Sequence, residues 1–327
     1  MSAPDSLARR LGTGDAVAIG LGSMIGAGVF AAFAPAAAAA GAGLLLGLAL
    51  AGFVAFCNAT SSAQLAAQYP TSGGTYIYGR ERLGEWPGFF AGWGFLVGKT
   101  ASCAAMAMTF AAYTVPGPWQ KSVAVVAVLA LTAINYFGVT RTAAATRVIV
   151  AVVVAVLALV VVAGLSGGGP GVDFGGVGDR GGWYGVLQSA GLLFFAFAGY
   201  ARIATLGEEV RDPERTIPRA IVIALSITLL IYSVTAVSLL LGLGPERLAA
   251  STAPLAELVH ARGWDWAGPV VRVGAALAAL GALLALIAGI GRTGLAMARH
   301  GDLPQWLAAV HPRHQVPHRA ELVLAAV

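Results

Sequence analysis

The sequence predicts an all-α, polytopic membrane protein, and three observations carry that prediction. Only 11% of the 327 residues are charged, against about 25% in soluble domains. Hydrophobic residues make up 58% and the mean hydropathy is +0.79. Apolar runs of the length that crosses a bilayer, about 20 residues, recur along the chain. So few charges cannot build a surface facing water, so lipid is the main solvent.

Eight runs qualify: 15–40, 44–66, 86–113, 121–137, 147–165, 185–206, 218–242 and 267–298, and a ninth begins near Ala320. The first 14 residues are polar, with Arg9 and Arg10, and do not read as a cleavable signal. With the N-terminus inside, the inner side takes Arg9, Arg10, Arg80, Arg82, Arg141, Arg147, Arg211, Arg215, Arg219, Arg292, Arg299, Arg313 and Arg319. The outer side takes Lys121, Arg180, Arg247, Arg262 and Arg272. Positive charge favours the cytoplasmic face, so the expectation is a multi-pass plasma-membrane protein with a cytoplasmic N-terminus. The outer loop Ser166 to Gly182 is glycine-rich, and Pro245 to Trp266 is a second outer loop with a short helical stretch after Thr252–Pro254. The inner stretch EEVRDPERTIPR starts at Glu208, and its Asp212-Pro213 step suits a helix start.

Several function classes are excluded. The net charge of +5 sits in short loops and reads as a topology signal, so no nucleic-acid partner is expected. Cys57 and Cys103 lie in apolar runs and read as buried thiols without a disulfide. Gly20-x-Gly22 lacks the third glycine of a dinucleotide fingerprint, since Ile25 stands there. His311, His314 and His318 are separated by Pro312 and Pro317, with no acid or thiol among them, so they read as a solvated loop and not as a metal site. No nucleophile–base pair or phosphate loop is present, so neither an enzyme nor a cofactor is expected.

The residues that suggest chemistry lie inside the spans. Gly20-Leu21-Gly22-Ser23-Met24-Ile25-Gly26-Ala27-Gly28 is dense in glycine, each costing a helix about 0.8–1 kcal/mol relative to alanine. Close packing of Gly22 and Gly26 is one explanation. A helix broken around Ile25–Gly28, with main-chain groups lining a wet cavity, is the other. In the sixth run, Phe194-Phe195-Ala196-Phe197-Ala198-Gly199-Tyr200 sets aromatic residues around a small-residue step. Lys99 stands about 13 residues inside the third run, roughly 20 Å deep, where an ionisable group usually faces the bundle interior. It is expected to act in coupling or substrate selection, or else to be a structural cation. Arg202 could neutralise Glu208 or Glu209 as part of an inner gate, or be a simple interfacial charge.

GSMIGAGVF in the first run and FFAFAGYARIATLGEEVRDPERTIPRAI from the sixth resemble the amino acid–polyamine–organocation permeases. Pro70-Thr71-Ser72-Gly73-Gly74-Thr75-Tyr76, and Ala296 to Pro304 followed by Val310-His311-Pro312-Arg313 and Pro317, are similar to that family's loops after the second and eighth helices.

The resemblance implies two inverted five-helix repeats with broken first and sixth helices. By that reading 1–14 is a cytoplasmic N-terminus, 15–165 the first repeat, 166–184 an extracellular loop and 185–327 an incomplete, C-terminally truncated second repeat. It implies secondary active transport of amino acids by alternating access, often with protons, in the bilayer. The substrate carboxylate would meet the backbone amides of Ile25, Gly26, Ala27 and Gly28. The amino group would meet carbonyls across Phe195, Ala196, Phe197, Ala198 and Gly199, with Phe195 and Phe197 as aromatic walls. Gly98 aligns where cation-preferring members carry an acid, and Val153 where some proton-coupled members carry a lysine. A neutral or small amino acid is therefore expected. The alternative is a non-transporting amino-acid sensor or an inactive permease fragment. Oligomeric state is not legible.

Overall fold

A computed structural model describes residues 7, 9–115, 117–167 and 181–326. The first span is interrupted: α1 (Thr13–Met24) stops, the chain is non-helical at Ile25 and Gly26, and α2 (Ala27–Ala31) and α3 (Phe33–Ala40) complete the crossing. A 3₁₀ turn at Gly41–Gly43 then reverses the chain into α4 (Leu44–Gln68). Gly41 has φ +57°, a left-handed conformation that glycine adopts without steric penalty.

A short α5 (Thr75–Leu83) leads into α6 (Glu85–Thr114), followed by α7 (Gln120–Tyr136) and α8 (Val139–Leu165). The second half opens with α9 (Gly182–Phe197), a 3₁₀ turn at Ala198–Tyr200 and α10 (Ala201–Ala204). It continues with α11 (Pro213–Ala250), α12 (Pro254–Ala261), α13 (Ala267–Arg299) and α14 (His318–Ala326). Among the described residues eight segments are long and apolar enough to cross a membrane.

Some boundaries differ from the sequence expectation. α8 begins at Val139, about two turns before the apolar run at 147, because Gly138, at φ +112°, makes the turn out of α7. α11 continues past the expected loop start at Pro245, kinking at Gly244 (φ +74°) and remaining helical to Ala250. Most of the glycine-rich loop, including Arg180, falls within 168–180, outside the described residues. Cys57, expected to be buried, is exposed, whereas Cys103 is buried.

α13 is the most enclosed span. Its glycines let neighbours approach closely: a Cβ on Gly274 would meet Val156 of α8, and one on Gly281 would meet Ile149 of α8. Small residues serve this purpose in membranes, where burial against lipid adds no drive and close van der Waals packing must supply it. Phe53, Phe56, Phe90, Val126 and Leu230 face outward, as lipid contact requires. Trp86, Trp119, Trp183, Tyr184 and Trp266 are exposed near helix starts, where amphipathic rings suit the membrane interface.

The ends of the bundle can be sorted by their hydrogen bonds. The main chain of Arg10 and Leu11 donates to the Glu209 carbonyl, and Arg211 N–H donates to Leu11. Tyr76 Oη donates to Asp302 Oδ2 at 2.5 Å, and Arg80 donates to the same oxygen at 3.0 Å. Burial and the adjoining Asp302 carboxylate both push the Tyr76 phenol above its ordinary range. The N-terminus, α5 and the loops after the sixth and eighth spans therefore share one end. Arg262 donates to the Gly164 and Leu241 carbonyls at the other end.

Candidate functional site

The two helix interruptions meet in the core. Ile25 (φ −79°, ψ 61°) and Gly26 (φ −106°, ψ −151°) leave the helical region, so the hydrogen-bond ladder fails there and frees main-chain groups. The sixth span departs less from expectation in kind than in degree. Phe195, Ala196 and Phe197 remain in the α-helix, and the irregular segment is a 3₁₀ turn displaced to Ala198–Tyr200.

Contact between the interruptions is made by glycine. A Cβ on Gly199 would lie 2.4 Å from the Ser23 carbonyl carbon and 2.6 Å from Met24 N. A Cβ on Gly28 would lie 2.8 Å from Ala196 Cβ. The Tyr232 hydroxyl of α11 completes the junction, donating to the Met24 carbonyl at 2.5 Å and lying 3.2 Å from that of Ala196. A single hydroxyl proton thus serves a carbonyl from each span.

A cavity opens beside this junction, lined by Gly26, Gly28, Phe195, Ala198 and Gly199, together with Lys99, Ser102 and Met106 of α6 and Ala282 of α13. Its volume is about 30 Å³, room for about two waters. Lys99 lies 14 residues from the start of α6 and 15 from its end, a rise of about 21 Å and 22 Å respectively. It is therefore at mid-span. Its Nζ lies 5.9 Å from the Phe95 ring centroid.

The structure does not gather every expected site residue here. Phe197 is fully buried against Tyr232, centroids 5.0 Å apart, and is not a wall of the cavity. Ile25 is also buried outside the lining. Gly98 is turned away, exposed and with open space beside it. Adjacent helix residues point about 100° apart, so Lys99 can enter the cavity only with Gly98 outside it. Val153 is buried in the bundle core.

The inner charges are rearranged relative to expectation. Arg202 is buried and donates Nη1 to Thr205 Oγ1 at 2.6 Å, with no salt bridge to Glu208 or Glu209. The partner of Glu209 is Arg292, whose Nε and Nη2 bind its two carboxylate oxygens. Arg292 Nη1 also donates to the Ala288 carbonyl at 2.6 Å and reaches Glu321 of α14 at 3.5 Å. All three ionic side chains are at most 2% exposed. Arg292 is therefore no loop charge. Among the described residues, Arg202 Nε and Nη2 and Glu321 Oε2 have no hydrogen-bond partner. Glu208 instead pairs with Arg299 at 2.8 Å and accepts from Ser72 N–H at 3.2 Å.

Arg292 and Glu321 were legible only as lone charges near or within apolar runs. The histidine loop also differs from expectation. His311, His314 and His318 pack around Tyr136, with ring centroids 5.2, 5.7 and 6.3 Å from it. Among the described residues no group of acids, thiols and imidazoles could hold a metal.

Residues 15–327 match the sequence profile of the family described as Amino acid permease. The chain belongs to the amino acid permease family. It is similar to a Mycobacterium tuberculosis protein named only as a transporter, 63% identical over 324 residues that cover 99% of this chain and 73% of the relative. It is 27% identical to the branched-chain amino acid permease BcaP of Bacillus subtilis, covering 98% of this chain and 73% of that one. A cationic amino acid transporter of Arabidopsis thaliana, named chloroplastic, is 27% identical over 98% of this chain and 59% of its own length. In this permease the cavity lies at the two helix interruptions, and α13 contributes both to its lining, through Ala282 and Leu286, and to the buried charge cluster, through Arg292.

Proposed function

We propose that this permease is a secondary active transporter that carries a small, non-cationic amino acid through the cavity between its first and sixth spans, with protons, by alternating access. The observation that carries the reading is the meeting of the Ile25–Gly26 interruption with the Ala198–Tyr200 turn at mid-bundle. Irregular main chain at membrane depth is tolerated where it lines such a cavity. Broken helices at a midplane site are the usual way transporters hold small charged solutes.

The main-chain N–H groups of Ala27 and Gly28 are assigned to the substrate carboxylate; those of Ile25 and Gly26, expected to share it, already donate to the Leu21 and Met24 carbonyls at 2.6 and 2.8 Å. Carbonyls of the Phe195–Gly199 segment are assigned to the amino group, and Phe195 forms the apolar wall. Among the described residues no acidic side chain lines the cavity, which disfavours a cationic amino acid. Lys99 is the one ionisable lining residue among the described residues and is assigned to coupling. Arg292, Glu209 and Glu321, with Glu208 and Arg299, close the end that carries the N-terminus. Loop charge assigns that end to the cytoplasmic face of the plasma membrane. The name of BcaP supports an amino acid as the substrate.

The test is uptake by the purified chain in proteoliposomes. A labelled amino acid should accumulate against its gradient, and a protonophore should collapse the accumulation. Saturable binding with no accumulation would overturn transport and favour a sensor.

A further inference from the structure

We propose that Lys99 is the specificity-determining residue of this cavity and selects an amino acid with a second carboxylate, an acidic amino acid of the aspartate class, which binds together with one proton. The inference rests on the site proposed above and sharpens its substrate.

Lys99 brings a potential cation into a cavity that supplies no anion. The other elements line it with small, apolar or hydroxyl side chains, such as Ser23 from α1, Phe195 from α9, and Ala282 and Leu286 from α13, and among the described residues none of these is titratable. On α6 itself the nearby titratable group is Cys103, one turn away and buried. Among the described residues the ammonium has neither salt bridge nor hydrogen bond, only the face of Phe95 at 5.9 Å. A charged amine in such surroundings is costly unless an anion stands beside it. Since the protein provides none, the ligand is the group that can.

The rest of the wall fits the same ligand. Ser23 Oγ and Ser102 Oγ donate to the Ile19 and Gly98 carbonyls, each at 2.8 Å. Their oxygens keep lone pairs that can accept from a substrate ammonium. The small side chains of Ala196, Ala198 and Ala282 in the lining favour the shortest acidic side chain. A carboxylate beside Lys99 favours the charged amine, so by linkage the anion and a proton bind as a pair. The ligand's extra negative charge then enters compensated.

The purified chain in nanodiscs, with labelled L-aspartate and L-alanine in a scintillation proximity assay, tests this. Wild type should bind aspartate about tenfold more tightly than alanine, a difference one charge pair readily supplies. Aspartate affinity should fall as pH is raised. Lys99→Met should reduce the aspartate-to-alanine affinity ratio by about tenfold. Lys99→Arg should keep the preference but lose the pH dependence, because a guanidinium does not deprotonate. Gel filtration confirms that each variant is folded.

Alanine binding more tightly than aspartate in wild type would overturn the inference and leave the transport reading standing. So would a ratio unchanged in a folded Lys99→Met. Aspartate preference without accumulation in proteoliposomes would overturn transport and leave the inference standing. No binding of either amino acid would overturn both.

Discussion

The Tyr232 hydroxyl donates to the Met24 carbonyl at 2.5 Å, and its oxygen lies 3.2 Å from the Ala196 carbonyl. The bond caps the broken end of α1 from a helix that belongs to neither interrupted span. Tyr232 is itself held by Phe33 and Phe197, with ring centroids 6.2 Å and 5.0 Å away. It thereby fixes the distance between the two interruptions.

Tyr232→Phe keeps these ring contacts and removes the donor. The Met24 carbonyl keeps the Gly26 N–H at 2.8 Å, so the loss is that of one ordinary hydrogen bond, about 0.5–1.5 kcal/mol. Thermal unfolding in detergent should show the loss, and substrate affinity should weaken with it.

Gly199→Ala should abolish binding and lower the yield of folded protein. Its Cβ would lie 2.4 Å from main chain at Ser23, which cannot move without shifting α1. Gly98→Ala is the control, since a Cβ there meets nothing within 4 Å. It should be neutral or slightly stabilising, by up to about 1 kcal/mol from helix propensity. Parallel yields and binding measurements of the two variants decide this.

Arg292→Met should destabilise by about 3–5 kcal/mol, because it leaves Glu209 buried without its cation. Glu209→Gln should be damaging for the complementary reason. The double substitution should cost less than the sum of the two. A double-mutant cycle on thermal stability measures that coupling.

His318 supplies a pH dependence. Burial, then the neighbouring His311 and Arg319, hold its imidazole below the ordinary histidine value. The folded state thus binds fewer protons than the unfolded one. Its contribution is fully present above the ordinary value of about 6.5 and is lost as pH falls through the lower folded value. Stability measured from pH 7.5 to 5.5 should decline, and His318→Phe should flatten the decline.

Lipid made much of this protein legible from its residues. A bilayer demands long apolar runs with internally bonded backbone, so the spans could be counted, although Gly138 and Gly244 moved their ends. The glycine density around Ile25 and the small-residue step at Ala198-Gly199 marked where the helices yield. The depth of Lys99 marked a charge that must face inward.

What the tertiary structure decided is rotation and partnership. Whether Gly98 or Lys99 enters the cavity depends on how α6 is turned against its neighbours, and one residue of rotation exchanges them. Phe197 packs on Tyr232, and not on the cavity, for the same reason. Glu209 pairs with Arg292, 83 residues away, and not with nearby Arg202. Chain proximity places charges in the same region, but the approach of α13 selects which guanidinium meets the carboxylate in line.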